Sequence, residues 1–146
     1  DVDKYGLIDV GSSFLASELT AALIFAQLEK LDKLQDRRKE IWQTYYEGLT
    51  HLQNEGIVYP SIPDFATNNA HMFYLVFPNL EKRTAFIAKL RAEGIMAVFH
   101  YQSLHKSEFF KSDRILENTD IYSDRLIRLP LFCVLNNSEI KEVLDL

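Results

Sequence analysis

Residues 21–26, Ala-Ala-Leu-Ile-Phe-Ala, are apolar on every side when wound as a helix, and no other feature of this 146-residue chain constrains its fold as strongly. A helix on the surface of a globular domain keeps a polar face, so a helix without one is expected to be covered all round. The run lies in a segment with clear helix signals. Ser17 stands as N-cap and Glu18 occupies the first turn, where a negative charge suits the helix dipole. The helix is expected to run to about Leu31. Just ahead of it, Gly11-Ser12-Ser13 makes a turn whose backbone N–H groups suit an anion. In so short a chain, part of the cover for the apolar run is expected from residues outside it. The first residue, Asp1, points the same way: the sequence reads as a piece of a longer protein.

Composition removes several classes of function. Net charge is −5 with no basic run, which argues against a nucleic-acid surface. The longest apolar run, about eight residues, is far short of the roughly 20 that a membrane helix needs. A single cysteine, Cys133, excludes an internal disulfide and fits either a reducing compartment or indifference to redox; a cytoplasmic protein is expected.

Beyond Leu31, Asp32 to Gln35 has capping-box spacing, so a second helix is expected to start there at an angle to the first. Its stripe of Ile41, Trp42, Tyr45, Leu49 and Leu52 reads as core packing, and Gly56 as the residue that ends it. Residues 57–69 read as loop, broken by Pro60 and Pro63. Met72–Phe77 is expected to be a buried strand, Glu81–Glu93 an amphipathic helix closed by Gly94 with Phe86, Ile87 and Leu90 inward, and Ile95–His100 a second strand. Those two strands are either linked by a crossover or antiparallel neighbours. A loop then leads to a helix over about Thr119 to Ile127, a short apolar segment at Leu129–Phe132, and a last helix capped by Asn136 with Glu139.

Residue chemistry alone names no reaction. His100 and His105 share a loop without zinc-site spacing, so no metal site is expected. Cys133 has no histidine near it in sequence, and no nucleophile-elbow, Walker or dinucleotide motif occurs. What remains is a soluble α/β domain with one anion-friendly turn and one histidine-bearing loop.

Several segments, in order along the chain, resemble the DegT-type sugar aminotransferases. They are Val2-Asp3-Lys4-Tyr5, the stretch from Gly11-Ser-Ser-Phe through Ala22 with Gln27-Leu-Glu, Arg37-Arg38 with Tyr45-Tyr46, Asn69-Ala-His-Met-Phe-Tyr, Gly94-Ile-Met-Ala-Val-Phe-His-Tyr, Leu104-His105 and Arg128-Leu-Pro-Leu-Phe. Within that family they are most similar to the dTDP-4-amino-4,6-dideoxygalactose transaminase branch. The resemblance implies an α/β (α+β) fold: the C-terminal small domain of an aspartate-aminotransferase-like, fold type I enzyme, with long helices and a small sheet. Residues from about 17 to 55 would be interdomain helices and residues from about 57 to 146 the small domain. It implies pyridoxal 5'-phosphate as cofactor, glutamate as amino donor, a 4-keto-6-deoxy nucleotide sugar as acceptor, a homodimer, and a place in the synthesis of cell-surface polysaccharide such as lipopolysaccharide or enterobacterial common antigen.

The family's cofactor-bearing lysine belongs upstream of Asp1, so the resemblance assigns no catalytic residue to this chain, which alone is expected to be inactive. It assigns Ser12 and Ser13 to the cofactor phosphate of the neighbouring subunit; most members carry asparagine where Ser13 stands. It assigns Lys4, Tyr5, Tyr101 and His105 to the substrate side. Gly6-Leu7 replaces the Thr-Trp of the most similar branch, and Ser103 replaces a proline in the family's His-Tyr-x-Pro-Leu-His loop. The alternatives to an enzyme are a free-standing binding module and a dimerisation piece sealed by helix 17–31.

Overall fold

Three short strands form the centre of the fold, and two of them are joined only through the third. The computed structural model describes residues 15–110 and 112–145, so Lys4, Tyr5, Ser12 and Ser13 lie outside the described residues. The chain divides into two compact units, residues 1–32 and 33–146.

In the first unit the described structure is helix α1 (Glu18–Leu28). Ser17 caps it as expected: its backbone is extended and its Oγ accepts from the Thr20 N–H at 3.3 Å. None of its residues is buried; Leu23 is 63% and Phe25 65% exposed. The absence of a polar face therefore leaves apolar surface in the open.

Helix α2 (Leu31–Gly48) begins ahead of Asp32, so Asp32 is a first-turn acid favoured by the helix dipole and not the cap that its spacing suggested. The helix ends at Gly48, earlier than expected, and the chain tightens into a 3-10 segment, Thr50–Glu55. Gly56 closes that segment with φ +76°, a left-handed conformation that suits glycine. The apolar stripe does face the core: Ile41, Trp42, Tyr45, Leu49 and Leu52 are all buried.

Strand β1 (Phe73–Val76) lies within the expected segment, and helix α3 (Leu80–Ala92) runs one residue ahead of its expected bounds at each end; Asn79 caps it through the Lys82 N–H at 2.8 Å and Gly94 follows with φ +77°. The expected strand at Ile95–His100 shrinks to β2 (Val98–Phe99). The expected helix to Ile127 stops sooner. Helix α4 (Glu117–Arg125) passes directly into strand β3 (Leu126–Leu129). β3 is the central strand, antiparallel to both neighbours in the order β1-β3-β2, with Phe73 opposite Leu129, Val76 opposite Leu126, and Val98 opposite Arg128. β1 and β2 are thus parallel to each other, linked through α3 and separated by β3. Helix α5 (Asn137–Leu144) carries the expected capping box: the Glu139 N–H donates to Asn136 Oδ1 at 3.0 Å and the Asn136 N–H to Glu139 Oε2 at 2.8 Å.

α2 lies against β1 through aromatic contacts. Trp42 and Tyr45 each meet the Phe73 ring edge-on with centroids 5.5 Å apart, and Tyr46 stacks on Trp42 at 5.1 Å. The Tyr45 hydroxyl donates to the Pro130 carbonyl at 2.9 Å, which ties α2 to the end of β3; burial pushes its pKa well above the ordinary value. Trp42 is only 6% exposed, so Trp42→Ala is expected to cost about 3–5 kcal/mol in urea melts. Asn136→Ala removes the cap of α5 and is expected to cost about 1 kcal/mol by the same measurement.

Candidate functional site

The chain segment between β2 and α4 carries the histidines, and it has little regular structure to hold it. Its backbone order comes from a single 3-10 turn, Leu104–Lys106, closed by Lys106 N–H to Ser103 O and Ser107 N–H to Leu104 O, both at 3.0 Å, and from Ser112 N–H to His105 O at 2.9 Å. Side chains supply the tertiary anchor. The Ser103 hydroxyl donates to Asp120 Oδ1 at 3.0 Å, and Lys106 Nζ and His105 Nε2 lie 2.8 Å and 3.3 Å from that same oxygen. Hydrogen bonding from Lys106 is the main cause that holds the Asp120 carboxyl below its ordinary pKa, and the same bond raises that of Lys106.

The expected substrate-side residues of this segment lie differently. Tyr101 is 80% exposed and meets the His100 ring edge-on at 4.9 Å. The His105 side chain is 10% exposed, and its Nδ1 is buried without a hydrogen-bond partner among the described residues. Lys4, Tyr5, Ser12 and Ser13 fall outside the described residues, so of the expected set the structure places only Tyr101, exposed, and His105, against Asp120, on the same loop.

His100 sits at the end of β2 near Arg128 of β3. Burial first, and the Arg128 charge second, lower its pKa and favour the neutral ring. Arg128 Nη2 donates to the Phe99 carbonyl at 3.3 Å, while its Nε is buried without a partner among the described residues. The guanidinium borders a cleft of about 240 Å³ lined also by His71, Met72, Met96, Val98 and Pro130. One wall of that cleft is a tightly held turn. Asn68 and Asn69 side chains accept from the Ala70 and His71 N–H groups, and Ala70 is buried with φ +48°. Carbonyls of this turn are taken by α2: Asn69 by Gln35, Ala70 by Arg38 at 3.2 Å and His71 by Arg38 at 2.6 Å. A left-handed alanine costs of order 1 kcal/mol, and these side-chain bonds offset it.

Sequence reasoning missed Asp120 and Arg128 as site residues. Arg128 belonged to a segment that carried the resemblance, but nothing marked its guanidinium as facing a cleft. Asp120 had no local signal, because its partners lie 14 to 17 residues earlier in the chain.

Residues 1–146, the whole chain, match the DegT/DnrJ/EryC1/StrS aminotransferase family. The chain belongs to that family. The dTDP-4-dehydro-2,3,6-trideoxy-D-glucose 4-aminotransferase of Saccharopolyspora spinosa is 31% identical over 137 residues, which make up 94% of this chain and 35% of that protein. The chain thus spans about a third of that relative's length. Among solved structures, DesV of S. venezuelae superposes with a TM-score of 0.84 at 24% identity, covering 99% of this chain and 39% of that one. The sugar aminotransferase CalS13 of Micromonospora echinospora gives 0.82 at 23% identity, covering 92% and 36%. Spr1654 of Streptococcus pneumoniae, described as a sugar aminotransferase and solved in its PLP form, gives 0.72 at 22% identity, covering 88% and 34%. The fold expected for this family, helices around a small sheet, is the fold observed.

The Asp120 anchor is testable through its titration. A depressed carboxyl pKa contributes stability above the ordinary aspartate value, and that stability is lost as pH falls through the folded value. Lys106→Met should raise the Asp120 pKa toward its ordinary 3.8, read by carboxyl-carbon NMR titration. An unmoved titration would refute the coupling.

Proposed function

We propose that this chain is the C-terminal part of a pyridoxal-phosphate-dependent nucleotide-sugar aminotransferase. In this reading the amino donor is glutamate, and the acceptor is a 4-keto-6-deoxy sugar nucleotide destined for cell-surface polysaccharide, as in the dTDP-4-amino-4,6-dideoxygalactose branch. The observation that carries it is the family match over residues 1–146. A relative at 31% identity is itself named for 4-amination of a dTDP-dehydro sugar, which supports the acceptor class. The active unit is a cytoplasmic homodimer, a reading supported by the uncovered apolar surface of α1.

Lys106 fits a supporting role. A lysine that bonds the cofactor covalently needs a lowered pKa, whereas Lys106 is held as ammonium by Asp120. By resemblance to the family, the cofactor-bearing lysine is assigned to the part of these enzymes that this chain does not span. Ser12 and Ser13 would hold the cofactor phosphate, with hydroxyl and backbone N–H groups as donors. When bound, the cofactor supplies the electron sink for amino transfer. The residues of this chain bind and orient: Lys4, Tyr5, Tyr101 and His105 line the side that receives the sugar nucleotide.

The test uses the full-length protein that carries this chain, titrated with cofactor by absorbance and then given glutamate and a keto-sugar nucleotide in turn. Wild type is expected to complete both half-reactions. Ser13→Ala should weaken cofactor retention by about ten- to a hundredfold, the value of one hydrogen bond to a charged phosphate. His105→Ala should leave the cofactor bound and slow the sugar-nucleotide half. A wild-type protein that takes up no cofactor and aminates no keto sugar would leave a non-catalytic module as the reading. Unchanged retention in Ser13→Ala would remove the phosphate role.

A further inference from the structure

Ser103 is the buried polar residue of the described core, 4% exposed, and its hydroxyl is satisfied from outside its own loop. The acceptor is Asp120 on α4, whose Oδ1 also pairs with the Lys106 ammonium at 2.8 Å and has His105 Nε2 3.3 Å away. Three side chains within residues 103–106 thus meet one oxygen on a neighbouring helix. Ser103 has φ −60°, the value that a proline ring would enforce, and an extended ψ of 123° that proline accepts. A proline ring would restrict this backbone covalently, whereas the serine tethers it to α4 through its side chain.

We propose that Asp120 is a positioning residue: by tying Ser103, His105 and Lys106 to α4 it fixes residues 100–106, and with them the outward phenol of Tyr101, in the geometry that receives the keto-sugar nucleotide. This rests on the functional reading above. Asp120 touches no reacting atom; it acts through the loop. With the carboxylate gone, a buried hydroxyl and an ammonium lose their acceptor together, and the segment keeps only its short 3-10 turn and the His105–Ser112 backbone bond. Its remaining order would be local, and the exposed Tyr101 would sample many orientations.

The experiment compares wild type, Asp120→Ala, Asp120→Asn, Ser103→Pro and the double variant Asp120→Ala/Ser103→Pro in the full-length protein loaded with cofactor. Amide hydrogen exchange of residues 100–106 reads the anchor, and steady-state kinetics with a keto-sugar nucleotide read the positioning. Asp120→Ala should speed exchange across 100–106 by about tenfold or more and raise KM for the sugar nucleotide by a similar factor, the value of one charge-assisted hydrogen bond. Its kcat should stay within about twofold, and its cofactor absorbance should be that of wild type. Asp120→Asn keeps an acceptor oxygen for Ser103 and His105 but loses the charge opposite Lys106, and should fall between. Ser103→Pro in the Asp120→Ala background should restore slow exchange and low KM, a rescue that a general loss of stability would not show. Unchanged exchange in Asp120→Ala overturns the anchor. Faster exchange with unchanged KM, or a double variant no better than Asp120→Ala, overturns the positioning role. If wild type aminates no keto-sugar nucleotide, the functional reading fails and the positioning role with it, whereas an active wild type beside an unaltered Asp120→Ala enzyme removes the positioning role alone.

Discussion

Backbone pairing along Leu126–Leu129 holds the sheet together. β1 and β2 have no hydrogen bonds to each other, so each belongs to the sheet only through β3. Leu126, Ile127 and Leu129 are buried, and the strand is paired along its whole length by β1 and at Ile127 and Arg128 by β2. What surrounds it follows from that placement. The Pro130 carbonyl beyond its end takes the Tyr45 hydroxyl and so seats α2, while Phe77 just after β1 donates its N–H to Arg125 where β3 begins, at 2.9 Å. Arg128, opposite both Tyr74 and Val98, lines a cleft that also carries His71.

This central strand was also the part least legible in the sequence. Leu126-Ile127-Arg128-Leu129 is four residues with three apolar side chains, and it directly continues a helical pattern; over so short a span periodicity cannot separate a buried strand from the last turn of a helix. The backbone turns from helical to extended at Leu126, with ψ 138° and no glycine or proline to mark the change. Elements with their own punctuation were readable. Asn136 and Glu139 announce α5 because both halves of a capping box are written locally, and Ser17 does the same for α1. The buried stripe of α2 was readable because its spacing is helical over several turns. Its end was not, since the helix gives way after Gly48 to a 3-10 segment and the left-handed Gly56 closes that segment instead.

For the candidate site the division is between local and distant partners. The loop with His100, Tyr101 and His105 stood out through its resemblance to a family loop, and the sequence shows that Ser103 takes the place of a proline. It does not show that an aspartate on the next helix accepts from that serine. Nor does it show that Ala70 is left-handed. The two asparagines before it favour such a turn through their own side chains, but the Arg38 and Gln35 bonds that hold the carbonyls come from more than thirty residues away. Long-range polar contacts leave no period in a sequence, and this site is built largely from them.

The abrupt passage from α4 to β3 gears two parts of the molecule together. Arg125 is the last helical residue and Leu126 the first of the strand, so no slack separates the helix bearing Asp120 from the strand bearing Ile127. Each residue of a helix turns about 100° and rises about 1.5 Å, whereas each residue of a strand reverses the side-chain face. An inserted or deleted residue at this junction would either slip β3 by one register, exchanging its core face for the other, or swing Asp120 about a quarter-turn away from Ser103. Length at the junction is therefore held by two unlike rulers at once, and the segment should tolerate substitution far better than any change in the number of its residues.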